Sequence, residues 1–283
     1  MPSPRGGEGK QLKPRDWLDV FHRIGAGVRE AVLPIAGTDA GRVRFEVGAG
    51  GDRTLELDRA AEAVVFHELA AVAGRGEAFS VLSEESGRRS FGSDYPLILV
   101  DPVDGSLNAK QGVPVFGLML AVLDGPTIDD TLVGYVLNMN NGEAWTAIRK
   151  QGAWRAGAPL LVIPRQDRKR IQILGLESSP KAITVARPLV ERSNKIRILG
   201  SMALSIAHTA AGAFDVFCAP MPVRVFDMAA SLLLLAEVGG VATDMRGNLI
   251  GPLPASLDSR TTLLCAPTKE LHDEALSFLG PLE

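Results

Sequence analysis

Between residues 15 and 33 apolar side chains recur at helical spacing, at Trp17, Leu18, Phe21, Ile24, Val28 and Val32, and Pro34 ends the run. The spacing predicts an amphipathic helix. A Gly-rich polar stretch ending in VGAGGDRT follows and reads as a mobile loop; an alanine-rich amphipathic helix over 55–73 comes next. There the period changes. FSVL (79–82), LILV (97–100), VFGLMLAVL (115–123), TLVGYVLN (131–138) and EAWTAI (143–148) read as strands, and QGAWRAGAPLLVI adds a turn and another strand. Strands joined by short turns predict an antiparallel meander, covered on one face by the two N-terminal helices.

After the charged run RQDRKR (165–170) strand and helix alternate. IQILGL (171–176), a helix over about 180–192, KIRIL (195–199), a helix over 202–211 and FDVFCA (214–219) come first. A long helix over about 226–238, the strands VAT and TTLLCA and a C-terminal helix complete the pattern. Such alternation predicts α/β layering. With 283 residues, 46% of them hydrophobic, the chain can bury one large core or two smaller ones. The change of pattern divides it into two joined subdomains: an α+β part over 15–160 and an α/β part over 161–283. Residues 1–14, charged and rich in glycine, are expected to be disordered.

A formal net charge of -3 argues against general nucleic-acid binding, which needs a strongly basic face. RQDRKR reads as a solvated linker. The two cysteines, Cys218 and Cys265, could form one bridge but no disulfide framework, which makes a reducing cytoplasm the default expectation. No apolar run approaches the ~20 residues of a membrane span, and the N-terminus has no signal-peptide core. No membrane association is expected.

Against this background, acids stand beside apolar strands or helix starts at four places. They are Asp58 in LELD, Glu84–Glu85 in VLSEESG, Asp101 and Asp104 in DPVDGSLN directly after LILV, and Asp227 in VRVFDMAAS. Each has an ordinary explanation when taken alone. Asp58 would be a helix-face charge, the Glu pair a solvated turn, DPVDG a tight turn, and Asp227 a first-turn acid favoured by the helix dipole. Together they would bury several carboxylates, which is costly without cations or hydrogen bonds. An all-oxygen set of this kind suits a hard ion such as Mg²⁺.

These motifs resemble the lithium-sensitive, Mg²⁺-dependent phosphatase superfamily of inositol monophosphatases and fructose-1,6-bisphosphatases. DPVDGS matches its Asp-Pro-(Ile/Leu/Val)-Asp-Gly-(Thr/Ser) signature, SEES its upstream Glu-Glu, and FDMAAS its Trp-Asp-x-Ala-Ala-Gly. LGSMALSIAHTAAGAFDVF is similar to the Gly-Ser/Thr-x-Ala helix and following Gly-x-x-Asp. The matches run in order from about 50 to 240. DPVDGSLN leading into NAKQGVPVFG, together with VRVFD, is most similar to the archaeal-type members acting on both inositol phosphates and fructose 1,6-bisphosphate.

The resemblance implies a layered α-β-α-β-α sandwich and a cytoplasmic, homodimeric phosphomonoesterase with two Mg²⁺ ions, for which Mn²⁺ can substitute. A loosely bound third ion near Glu84 and the mobile loop belongs to the same expectation. Glu84, Asp101 and the carbonyl of Val103 would hold the first ion; Asp101, Asp104 and Asp227 would hold the second. Asp58 would pair with the Ser106 hydroxyl to orient and deprotonate the attacking water, with Glu84 part of the catalytic set. Gly105 lets the backbone approach a phosphate, and the N–H groups of Gly105 and Ser106 can cradle its oxygens. Gly200 and Ser201 would complete the contacts to a small phosphorylated substrate, and Arg224 reads either as a further substrate or phosphate contact or as a surface or packing residue.

Departures from the pattern fall mostly beside the ligands. Phe226 stands for Trp and Ser231 for the closing Gly, while Ser106 keeps the hydroxyl of the commoner Thr. Ala219, Pro220 and Met221 stand where many relatives carry acids that bind substrate hydroxyls. Phosphatases of 3′-phosphoadenosine nucleotides, NADP or histidinol phosphate share the metal motifs and are the enzymatic alternative; a catalytically silent regulatory member is the other. HELAA (67–71) lacks the second histidine of a zinc-protease helix, and His22, His208 and His272 read as structural or exposed. No nucleophile elbow or P-loop occurs, and Gly48–Gly51 does not make a dinucleotide fingerprint.

Overall fold

The computed structural model describes residues 12–51, 53–162 and 171–280. The expected RQDRKR linker and residues 1–11 of the N-terminal segment lie outside them. Helix α1 (Pro14–Val32) begins with proline at its first position, and the Asp16 carboxylate accepts the Lys13 N–H at 2.9 Å. The Gly-rich stretch after it forms a hairpin, β1 (Arg44–Val47) and β2 (Arg53–Leu55), which leads into α2 (Glu56–Ala73).

A first sheet follows, built from β3 (Phe79–Ser83), β4 (Gly87–Asp104), β5 (Gly117–Leu123), β6 (Thr131–Asn138), β7 (Ala144–Ile148), β8 (Gly152–Arg155) and β9 (Ala158–Pro159). The short helix α3 (Ser106–Gln111) interrupts it after β4. From β4 to β9 neighbours are antiparallel, the expected meander. β3 departs from it. Ser80 faces Ser90 and Val81 faces Arg89, yet Ser80 also faces Leu97 and Val81 faces Ile98. Thus β4 folds back around β3, antiparallel on one side and parallel on the other. Its first half, GRRSFG, carries no apolar pattern, because this edge of the sheet is largely exposed.

The second part comprises β10 (Ile171–Leu176), α4 (Arg187–Arg192), β11 (Ser193–Arg197), α5 (Met202–Ala210), β12 (Val216–Arg224), α6 (Ala229–Glu237), β13 (Val241–Thr243), β14 (Arg260–Ala266) and α7 (Lys269–Leu279). Its strands form a five-stranded sheet in the order β11-β10-β12-β14-β13. Two helices are shorter than their patterns suggest. Residues 180–186 are turns, and α4 starts only where Pro188 can sit near a helix N-terminus. Likewise a 3₁₀ turn, Val225–Asp227, precedes α6.

Strand alternation sets the layers. Along β5, Leu118, Leu120 and Val122 pack towards α1 and α2, whereas Met119, Ala121 and Leu123 pack towards α5 and α6. Along β12, Phe217 and Ala219 face the α5–α6 side, and Val216 and Cys218 face α4 and α7. The result is the expected α-β-α-β-α sandwich, and it explains strands that are apolar on both faces. Helices α5 and α6 form the middle layer and are almost wholly buried. Ser231, the departure from glycine, is accommodated because its hydroxyl donates to the Ala203 carbonyl at 3.0 Å. Cys218 and Cys265 are buried free thiols on adjoining strands.

Candidate active site

The two acids of DPVDGS lie three residues apart, so a regular strand would point them to opposite faces. A bulge prevents this. Asp101 faces Met119 and Asp104 faces Gly117, so β4 spends one more residue than β5 over the interval. Both carboxylates thereby line one cavity of about 130 Å³. The chain turns at Gly105, whose φ is +89° and whose added Cβ would lie 2.8 Å from the Gly200 carbonyl oxygen. Only glycine permits that approach. Asn108 fixes it by donating to the carbonyls of Val115 and Leu199, each at 2.7 Å.

Behind the turn, Asp104 accepts the N–H groups of Met202 and Ala203 at 2.9 Å and the hydroxyl of Ser201, all at the start of α5. Ser201 and Gly200, expected at the substrate, stand behind this wall and do not line the cavity. Asp58, in the first turn of α2, accepts the Leu55 N–H at 2.8 Å and lines the cavity opposite, together with Ser106. Glu84, at the end of β3, lies under the β1–β2 hairpin, where Gly50 and Ala49 donate to the carbonyls of Glu84 and Glu85 at 2.6 and 2.8 Å. Asp227 comes from the 3₁₀ turn after β12.

Every acid of the sequence reading therefore meets in one place, with Val103, Gly105, Ser106 and Arg224. One lining residue was not read from sequence, Arg53 of β2, hidden in a polar loop. Glu85, read there as half of the Glu84–Glu85 pair and given no role of its own, lines the cavity with its carboxylate accepting the Thr54 hydroxyl. Arg224 ion-pairs with Glu84, and its Nε donates to Asp227 Oδ2 at 3.2 Å. A larger cleft of about 560 Å³ between α1 and β6–β8 contains a single acid, Asp19, and lacks such a ligand set.

Burial dominates the electrostatics. It pushes Glu84 up to about 8 against the pull of Arg224, with Asp227, Glu85 and Asp58 adding to the rise. Asp104 is pushed up to about 7 by burial, although Ser201 and the α5 N–H groups favour its ionised form. Asp101 rises well above the ordinary range through burial and the neighbouring Glu84 and Asp104 charges. Burial also raises Asp227. For Arg224, burial opposes its charge, but Asp227, Glu84 and Asp101 outweigh it and strengthen protonation. A cluster this hard to ionise is suited to a cation that replaces lost hydration.

The residues fit a divalent ion. Glu84, Asp101 and Asp227 each offer an oxygen, all within 4.8 Å of one another. Among the described residues Asp227 Oδ1 is buried without a hydrogen-bond partner, an acceptor suited to a positive ligand. The donors are all oxygen, the preference of hard ions.

A five-layered sandwich with a buried carboxylate cavity at a β-bulge defines a class, the metal-dependent phosphatases of this fold. The sequence pattern of the inositol monophosphatase family matches residues 20–279, and the chain belongs to that family. A fructose-1,6-bisphosphatase/inositol-1-monophosphatase of Methanothermobacter thermautotrophicus is 32% identical over 275 residues, covering 93% of this chain and 96% of that one. Its namesake from Thermococcus kodakarensis is 29% identical, covering 93% and 97%. Among solved structures, a Pyrococcus horikoshii protein with similarities to inositol-1 monophosphatase superposes with a TM-score of 0.79 at 22% identity, covering 94% and 98%, which supports the fold.

Proposed function

We propose that this protein is a Mg²⁺-dependent phosphomonoesterase that hydrolyses small polyol and sugar phosphates, inositol monophosphate and fructose 1,6-bisphosphate among them. The observation that carries the reading is the convergence of Glu84, Asp101 and Asp227, with Asp227 Oδ1 unpaired, beside the Gly105–Ser106 turn. The names of the archaeal relatives supply the substrate class.

Glu84, Asp101 and the Val103 carbonyl would hold one Mg²⁺, and Asp101, Asp104 and Asp227 the second; Mn²⁺ would substitute, and a third ion would bind weakly near Glu84 and the β1–β2 hairpin. Bound there, the ions neutralise phosphate charge, lower the pKa of water and stabilise the leaving oxygen. The chain's own groups do the rest. Asp58, oriented by the Leu55 N–H, accepts the proton of the attacking water, and the Ser106 hydroxyl fixes that water's direction. The N–H groups of Gly105 and Ser106 cradle the phosphate oxygens, which the missing Cβ of Gly105 leaves accessible. The Ser201 hydroxyl supports the site by orienting Asp104.

Ala219, Pro220 and Met221 offer no side-chain acid for substrate hydroxyls. A pocket without such groups leaves none of its own unpaired when an analogue lacks a hydroxyl, so discrimination among polyols is weak. A cytoplasmic homodimer completes the proposal; the two buried free thiols agree with a reducing compartment. The test measures phosphate released with Mg²⁺ from inositol 1-phosphate, glycerol 2-phosphate and fructose 1,6-bisphosphate, with Asp101→Asn beside the native enzyme. We expect kcat/KM values within about tenfold, or ~1.4 kcal/mol, and no turnover by Asp101→Asn. A hundredfold preference for one monophosphate would overturn the open pocket. Full activity in Asp101→Asn would overturn the metal assignment.

A further inference from the structure

Six acids and two arginines line the cavity. Arg224 reaches into the middle of the acids. Its Nη1 pairs with Glu84, while its Nε and backbone N–H donate to Asp227 Oδ2 at 3.2 and 3.4 Å. Glu84 and Asp227 are two of the three carboxylates whose oxygens converge within 4.8 Å. The guanidinium engages Glu84 and Asp227 Oδ2 and leaves Asp227 Oδ1 unpaired, so it competes with a divalent ion for the negative charge and for part of the lone pairs of the same two carboxylates.

Besides these acids, an aromatic ring and the hairpin hold the guanidinium in place. It lies 5.2 Å from the centre of the Phe226 ring, the position where the sequence departs from tryptophan. On another side the hairpin closes over it: a Cβ on Gly50 would come within 3.4 Å of Nη1 and 2.8 Å of Glu84 Cγ. The arginine fork matches carboxylate and phosphate equally well. Its side chain is mostly covered, so when it leaves the acids the phosphate-sized cavity is the space it already lines.

We propose that Arg224 is a tethered counter-cation of the metal site. It holds Glu84 and Asp227 together until a divalent ion displaces it, and the freed guanidinium then binds the phosphate of the substrate. Metal loading thus creates a substrate contact, and the two ligands bind in order. This inference rests on the metal-dependent reading above.

Calorimetric titration tests it with Mg²⁺ alone and then with inorganic phosphate, on the native chain, Arg224→Gln and Arg224→Lys. Arg224→Gln is expected to bind Mg²⁺ at least tenfold more tightly, about 1.4 kcal/mol. Arg224→Lys should also bind it more tightly, since an ammonium cannot fork between the two carboxylates. A charge that merely stands nearby would leave the lysine variant at native affinity. Once loaded with Mg²⁺, Arg224→Gln should bind phosphate at least tenfold more weakly than the native protein. Without metal it should melt at a lower temperature than the native protein, and saturating Mg²⁺ should close that gap. Unchanged or weaker Mg²⁺ binding in both variants overturns the proposal while leaving the metal site standing. A native chain that binds neither Mg²⁺ nor Mn²⁺ overturns the metal reading and this inference together.

Discussion

Replacing Gly105 with alanine tests how the site is built. The backbone there has φ +89°, a conformation that costs an L-residue about 1–2 kcal/mol. The new Cβ would also stand 2.8 Å from the Gly200 carbonyl oxygen and 3.3 Å from both Ser201 Cβ and the Val115 carbonyl oxygen. Two of these neighbours are backbone atoms, held by the Asn108 bonds to Leu199 and Val115, so they cannot rotate aside. Overpacking of this kind costs roughly 1–3 kcal/mol. The sum is about 2–5 kcal/mol, or a fall of roughly 4–15 °C in Tm at ~2–3 °C per kcal/mol for a large domain. Gly76 provides the control, because its φ is +98° and nothing lies within 4 Å of an added Cβ. Gly76→Ala should carry only the backbone cost. Thermal melts of both variants, with and without Mg²⁺, isolate the contact. The displaced turn should also lower kcat/KM by more than tenfold, since Asp104 and Ser106 flank it. If the Gly105 and Gly76 variants melt within about 2 °C of each other, by the scaling above, the close-contact argument is wrong.

Ser106→Ala should keep Mg²⁺ affinity and lose ~10²–10⁴-fold in kcat, the usual weight of positioned proton transfer; a loss below tenfold would separate Asp58 and Ser106 from water activation. The pH dependence of stability follows from Glu84 near 8 and Asp104 near 7. Both lie above their unfolded values near 4, so the folded state retains protons that the unfolded chain releases. Metal-free protein should therefore lose stability as pH rises from about 5 through 8, and melts at pH 6 and 9 would show it. A higher melting temperature at pH 9 would refute this. At pH 7 Mg²⁺ should expel protons from these carboxyls, read by calorimetry in buffers of different ionisation enthalpy.

Local physics made much of this protein legible in its sequence. Helical spacing located α1 and α2, because a stripe of Trp17, Phe21, Ile24 and Val28 can only be buried from one side. The apolar runs located β5 to β7. The acids announced themselves because carboxylates beside oily strands need a reason to be there. Other features depend on partners far along the chain. A polar segment such as 87–92 becomes a strand only because β3 offers it a hydrogen-bonding edge. The helical pattern over 180–186 yields to turns and leaves only α4. Sequence spacing places Asp101 and Asp104 three apart but does not reveal the bulge that aims both into one cavity. Nor does it show Asp104 gripped by Met202, 98 residues away, or Arg224 turned onto Glu84 and Asp227. Periodicity records which face of an element is buried; which charged groups share that burial is decided when the layers close, because Coulomb and hydrogen-bond energies depend on distance in space.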